Sequence, residues 1–238
     1  MTRTKIAVVT GATSGIGAAT ARALAAAGIR VFLLGRSARK LATASRGIRT
    51  RQLAGTARAD LRSLTEIRQL LKEISAQLPR LDVLVHCAGE YAWTEPGSLD
   101  PEGFGLLFDV NVRAPYLLTQ GLLPQLSRAK GQVIFLNSSV VKSPGQGVAL
   151  YKATQHAVQG FTDSLRQDLN RRGIRVSSLY LGRTATPRMQ RIYQREGQPY
   201  KPALLLSAHD VAQFVLALTQ LPARLELTDV HVRAVTRY

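Results

Sequence analysis

The stretch Val8 to Gly28, VVTGATSGIGAATARALAAAG, constrains this chain more than any other. A β-branched apolar run meets Gly11, Gly15 and Gly17 and then continues as an alanine-rich segment of helical character. Residues without Cβ let the main chain approach a ligand closely, and the first turn of a helix offers unpaired N–H groups to an anion. The pattern predicts a strand, a tight turn and a helix that cradle a pyrophosphate, with Thr13, Ser14, Gly15, Ile16 and Gly17 at the turn.

The alternation begun there runs on. KIAVVT, RVFLLG, TARAD, LDVLVHCAG, QVIFLNSS, RVSSLYLG and ELTDVHVRA read as strands. Helical periodicity occupies Gly15 to Ala27, Leu64 to Leu78, Pro101 to Arg128, Tyr151 to Arg172 and Ala208 to Leu221. Strands apolar on both faces that alternate with helices imply an α/β fold, a parallel sheet covered on each side. With 238 residues, 45% of them hydrophobic, and no repeat or linker-like change in composition, residues 1–238 are expected to form one domain. The least regular stretch, Gly182 to Pro202, reads as a substrate-binding loop or lid.

Strand ends supply the rest of a dinucleotide site. After the second strand come Gly35 and Arg36, with no acidic residue to accept from a ribose 2′-hydroxyl. An arginine there suits a 2′-phosphate, so NADP(H) is expected over NAD. Asp60 and Leu61 follow the third strand, where the carboxylate could accept from the adenine amino group. The small pair Ala88 and Gly89 follows the fourth and lets a cofactor lie against backbone.

Composition narrows the class of protein. No apolar run approaches a membrane span, and KIAVVTGATSGIG breaks into glycine and polar residues too soon for a signal peptide, so a cytoplasmic protein is expected. Cys87 is the lone cysteine, which rules out an internal disulfide and any multi-cysteine metal site. Lys and Arg number 32 against 15 Asp and Glu, a formal charge of +17. The arginines are scattered and carry few interleaved aromatics, so an ordinary solvated basic surface is expected rather than a nucleic-acid footprint, with an anionic partner as the alternative.

In LYKATQHAVQGF, Leu150 to Phe161, Tyr151 and Gln155 lie about one helical turn apart and face one ligand together. With this segment the chain resembles the short-chain dehydrogenase/reductase family over essentially its whole length. TGATSGIG matches the family's TGxxxGxG turn, CAG falls in its NNAG segment, and Asn111 lies in FDVNV. LNSSVV carries the paired serines, Tyr151 opens the YxxxK segment, and LGRTAT takes the place of PG-x-x-x-T with Gly182, Thr184 and Thr186.

The resemblance implies a Rossmann-type doubly wound sheet of about seven strands, and hydride transfer between a nicotinamide and a small carbonyl or alcohol substrate. It implies Tyr151 as acid/base, Ser139 as the serine that holds the substrate oxygen, with Ser138 its rival, and Asn111 as anchor of a relay water. It also implies a homodimer or homotetramer, paired through the helices predicted over Pro101 to Arg128 and Tyr151 to Arg172, with Leu106, Leu107, Val110 and Leu117 facing either core or interface. The chemistry is coherent: a carbonyl gaining hydride develops negative charge on oxygen, on which a hydroxyl donor and a proton source must converge.

Gln155 is the principal departure, standing where the family has lysine. A free tyrosine has a pKa of about 10, and an amide supplies no positive field to lower it. Lys152 and His156 point off the face of Tyr151, while Lys142 would have to fold back from the loop after the serines. His86 and Cys87 in place of paired asparagines, and Leu181 in place of proline, leave the proton transfer untouched. Three readings share this fold and site: an NADP(H)-dependent oxidoreductase impaired by Gln155, a catalytically silent dinucleotide-binding protein, and an engineered lysine-to-glutamine variant of an active enzyme. Tyr91, Trp93, Met189, Tyr193 and Tyr200 are expected to shape the substrate site.

Overall fold

Alternate residues of the strands serve opposite faces of one sheet. In β1 (Ile6–Val9), Ile6 and Val8 join one buried cluster while Ala7 and Val9 join the other. The computed structural model describes residues 3–95, 97, 100–143 and 145–235. Its other main strands are β2 (Arg30–Gly35), β3 (Leu53–Arg58), β4 (Val83–His86), β5 (Gln132–Ser138), β6 (Arg175–Leu181) and, after a two-stranded accessory pair, β9 (Asp229–Val232). They form a seven-stranded sheet in the order β3-β2-β1-β4-β5-β6-β9, with every neighbouring pair parallel.

Helices α1 (Gly15–Ala26), α2 (Ala38–Arg46) and α9 (Ala208–Gln220) contribute Leu24, Leu41 and Val215 to one cluster. Helices α3 (Leu64–Gln77), α5 (Ala114–Gly121) and α7 (Ala149–Asn170) contribute Leu70, Leu118 and Leu165 to the other. The buried stripe of α7, Thr154, Val158, Thr162, Leu165 and Leu169, follows helical spacing, and Gln155 is buried at its edge. This is the doubly wound architecture expected from the sequence.

The order reverses between β1 and β4. Loops leaving the C-terminal ends of these neighbours diverge there and open a crevice, the usual ligand position in such sheets.

Two predicted segments differ in detail. The helix expected over Pro101 to Arg128 is broken: α4 (Pro101–Phe108) passes into a π-helical turn, Asp109–Arg113, before α5, and α6 (Leu123–Ala129) follows a break at Leu122. Pro115 lacks the N–H that would bond the Asn111 carbonyl in a regular α-helix, and Pro124 likewise interrupts the ladder near Leu122. Leu107 and Val110 are buried and Leu117 packs against the core, while Phe104 and Tyr116 are the exposed large apolar residues of this region.

The second difference concerns Gly182 to Pro202. The stretch is not an irregular loop: it holds the short strand β7 (Thr184–Ala185) and α8 (Pro187–Arg195). Thr186 caps α8 by accepting from Met189 N–H at 3.2 Å, and Pro187 takes the first turn, where a missing N–H costs nothing. β7 pairs with β8 (Leu206–Ser207), which tethers this segment beside the crevice.

Candidate active site

The glycine turn after β1 is built by contact as much as by conformation. Gly11 and Gly15 hold φ of +64° and +51°, which side chains rarely adopt. A Cβ on Gly17 would meet the Gly11 carbonyl oxygen at 2.4 Å, and one on Gly11 would meet the Ala88 backbone at 3.0 Å. Thr10 ties these parts together, its hydroxyl accepting from Cys87 N–H and Ala88 N–H at 3.0 Å each. Ser14, the N-cap of α1, makes no side-chain cap bond, and the first turn carries no acidic residue. Main-chain N–H groups and the helix dipole are therefore available to an anion.

A continuous cleft of about 1530 Å³ runs from this turn. Gly11, Thr13, Ser14, Gly15, Ile16 and Gly17 line it, together with Arg36, Asp60, Leu61, Ala88 and Gly89. The side of the cleft next to Thr13 of the turn and Gly35 is basic: Arg36, Lys40 and Arg62 all border it. Arg36 donates to Glu90 at 3.0 Å across the cleft, an exposed contact of small worth. Both Asp60 oxygens are engaged by Arg62, whose guanidinium hydrogen bonds hold that carboxyl below its usual range against the opposing effect of burial.

The other end of the cleft brings Asn111, Ser138, Ser139, Tyr151 and Gln155 together with Gly182, Thr184 and Thr186. Tyr151 lies in the first turn of α7, and its ring meets that of Tyr91 edge-on at 5.1 Å. Ser138, at the end of β5, is close enough to Tyr151 for its hydroxyl to lower the Tyr151 pKa. Ser138 Oγ accepts from Val140 N–H at 3.2 Å, which leaves its hydroxyl proton for the Tyr151 side of the cleft. Ser139, the residue expected at this point, begins the next 3₁₀ turn one position further on.

Asn111 sits in the π-helical turn. Its side chain accepts from Glu90 N–H at 2.7 Å and donates to the Glu90 carbonyl at 2.9 Å and to Thr154 Oγ1 at 3.1 Å. Thr154 donates in turn to the Tyr151 carbonyl at 2.7 Å, so one chain of bonds joins the loop after β4 to the start of α7. Gln155 is buried; its main-chain carbonyl accepts from Asn137 Nδ2 at 3.1 Å, and its side-chain amide donates to Thr154 Oγ1 at 3.4 Å.

Burial pushes the Tyr151 hydroxyl above its ordinary value, opposed by the Ser138 hydroxyl and the charge of Arg188. Of the three cations weighed from the sequence, Lys152 donates to the Ser143 carbonyl at 2.9 Å, and Lys142 and His156 are exposed. Arg188 on α8 was missed because the segment carrying it read as irregular, although the Thr186-Pro187 pair is a legible helix start. Tyr91, Trp93, Met189 and Tyr193 line the cleft as expected, whereas Tyr200 packs edge-on behind Tyr193 at 5.7 Å.

His86, in place of an asparagine, is buried, stacks on Phe135 at 4.7 Å and lies 2.9 Å from Thr119 Oγ1. Thr119 gives its own proton to the Pro115 carbonyl, so His86 donates from Nε2. Burial lowers its pKa to about 3 and keeps it neutral.

The sequence matches the short chain dehydrogenase family model over residues 5–197. The chain belongs to the short-chain dehydrogenase/reductase family. An uncharacterized oxidoreductase from Staphylococcus epidermidis is 31% identical over 233 residues, 97% of each chain. An NADP-dependent 3-hydroxy acid dehydrogenase from Salmonella typhi is 28% identical over 239 residues, covering 98% of this chain and 96% of its own. Among solved structures, a metagenomic short-chain oxidoreductase in complex with NADP superposes with a TM-score of 0.83 at 29% identity, with 98% of each chain covered. Within this family the cleft between β1 and β4 is the candidate cofactor site, and the Tyr151 end is the candidate site of chemistry.

Proposed function

We propose that the chain is an NADP(H)-dependent oxidoreductase that moves hydride between a nicotinamide and a small carbonyl or alcohol substrate. The observation that carries this reading is that Ser138 and Tyr151 come together in the cleft that the glycine turn also lines. The residues fit the dinucleotide: a Cβ at Gly17 would fill the turn, and the N-terminus of α1 has no anion of its own. Arg36, Lys40 and Arg62 favour a 2′-phosphate over a bare ribose. The NADP named in a similar solved structure agrees with that preference.

When bound, the reduced nicotinamide supplies hydride to the carbonyl carbon. Ser138 orients the carbonyl oxygen by donating its hydroxyl proton, taking the role expected of Ser139. Tyr151 passes its proton to the oxygen as charge develops there, giving the alcohol; in the reverse direction its phenolate removes the alcohol proton. Asn111 fixes Glu90 against Thr154 and so sets the start of α7 relative to the loop after β4. Gln155 occupies the position of the family's lysine and can hydrogen-bond a ribose without supplying charge. The raised Tyr151 pKa leaves the residue protonated at neutral pH, which suits reduction better than oxidation.

The uncharged, buried Gln155 also favours a second reading, a dinucleotide-binding protein without turnover. Assembly as a homodimer or homotetramer through α4, α5 and α7 would cover the exposed Phe104 and Tyr116. NADPH oxidation with a panel of ketones and aldehydes, by the protein and by Gln155→Lys, separates the readings. Turnover by either supports an oxidoreductase, with a large gain in the substituted protein locating its impairment at Gln155. Binding of NADPH without turnover by either supports the silent binder.

A further inference from the structure

We propose that Glu90 is an internal rival of the cofactor: its carboxylate holds Arg36 across the glycine turn, and an NADP(H) that seats there must take Arg36 from it. The inference rests on the reading of the cleft as an NADP(H) site.

The sheet order gives this contact its meaning. β1 lies between β2 and β4, so the C-terminal ends of those two strands stand two strand spacings apart, about 10 Å, on either side of the glycine turn. Arg36 directly follows β2, and Glu90 lies in the loop after β4. Arg36 Nη1 donates to Glu90 Oε1 at 3.0 Å, a bridge that joins the two sides of the turn. Both residues line the cleft, and a dinucleotide reaching from the Arg36 side to the Tyr151 side crosses the line of the bridge. The neighbouring Arg62 has no such reach, since its carboxylate partner Asp60 is on its own strand end.

Only the Glu90 side chain is left to move. Its N–H and C=O are both held by the Asn111 side chain, at 2.7 and 2.9 Å. The carboxylate has a second cation to turn to: Oε2 lies 3.9 Å from Arg188 Nη2, whose guanidinium is anchored on the Gly89 carbonyl. Glu90 is the one ion-pair partner of Arg36 among the described residues, and the Arg36 side chain is 68% exposed. An exposed pair of this kind contributes little stability, whereas a phosphate gives a guanidinium two parallel charge-assisted bonds. A 2′-phosphate therefore displaces Glu90 from Arg36, and repulsion from the cofactor's phosphates sends the released carboxylate toward Arg188. Glu90 thereby lowers cofactor affinity by what its hold on Arg36 is worth.

The test is a double-mutant cycle on NADPH affinity, read by cofactor fluorescence at about 0.15 M salt, where charges act over about 8 Å. The parent is compared with Glu90→Gln, Arg36→Gln and Glu90→Gln/Arg36→Gln, and Glu90→Ala excludes a residual amide contact with the guanidinium. Glu90→Gln and Glu90→Ala are each expected to tighten NADPH binding about fivefold, the upper end of what an exposed pair contributes. With Arg36→Gln already in place, Glu90→Gln should change Kd less than about twofold, because no guanidinium is left to release. An unchanged Kd in both single Glu90 variants would overturn the proposal. So would equal tightening with and without Arg36, which would make Glu90 only a like charge beside the phosphates. Turnover is measured on the same samples, so NADPH binding without turnover counts against the oxidoreductase reading while the cycle still decides the role of Glu90. NADPH binding by none of the proteins would remove the cofactor reading and the proposal with it.

Discussion

The Asn111 side chain grips the main chain of Glu90 from both sides, accepting from its N–H at 2.7 Å and donating to its C=O at 2.9 Å. An amide can satisfy both groups at once, which neither a carboxylate nor an apolar side chain can do. Asn111→Leu keeps the volume and removes the bonds, leaving buried or half-buried polar groups unpaired. The expected loss is about 1–3 kcal/mol in urea denaturation. Stability equal to that of the parent would show that the clamp contributes nothing.

Gly17 and Gly28 test whether the turn needs space or only backbone freedom. A Cβ at Gly17 would collide with the Gly11 carbonyl, whereas Gly28, at φ +84°, has nothing within 4 Å. Gly17→Ala is expected to weaken NADPH binding at least about tenfold by forcing the cradle apart, measured by cofactor fluorescence. Gly28→Ala should cost about 1 kcal/mol of stability and leave binding unchanged. Equal binding by the two variants would contradict the cradle.

His86 makes stability depend on acid. Its pKa is about 3 in the fold against 6.5 for a free imidazole, so protonation favours the unfolded chain. Its contribution is fully present above about pH 6.5 and declines as pH falls toward 3, by up to about 1.4 kcal/mol per pH unit. Denaturation between these limits should show a shallower pH slope in His86→Asn than in the parent. Identical slopes would place the acid sensitivity elsewhere.

The two serines separate by the geometry around β5. Ser138 lies close enough to Tyr151 to lower its pKa and accepts from Val140 N–H, while Ser139 has turned into the following 3₁₀ segment. Ser138→Ala is expected to lower kcat about a hundredfold or more, as the loss of an oxygen-binding donor does elsewhere, and Ser139→Ala to change it less than about threefold. The opposite ranking would return the role to Ser139.

Much of this was legible because short-range physics dictates it. Strands apolar on both faces specify a parallel sheet, and the glycine turn specifies where its first crevice opens. Tyr151 and Gln155 met one cleft because helical spacing put them on one side of α7. The choice between Ser138 and Ser139 was not legible: it depends on the residue at which β5 gives way to a 3₁₀ turn, and adjacent serines carry no signal for that. The π-helical turn at Asn111 was obscured by an apolar pattern that continues through it, although Pro115 marks the interruption. Arg188 lies 99 positions from Gly89 in sequence, and only the tertiary placement of α8 on the loop after β4 relates the two.

On the proposed mechanism Tyr151 transfers a proton while hydride moves along the same cleft. Its most direct measurement is single-turnover oxidation of bound NADPH by a carbonyl substrate found in the panel, comparing the parent with Tyr151→Phe. The phenyl ring keeps the contact with Tyr91 and removes only the hydroxyl, so NADPH should bind both proteins alike while the rate falls at least about a hundredfold in the variant. Equal rates in the two proteins would contradict the account.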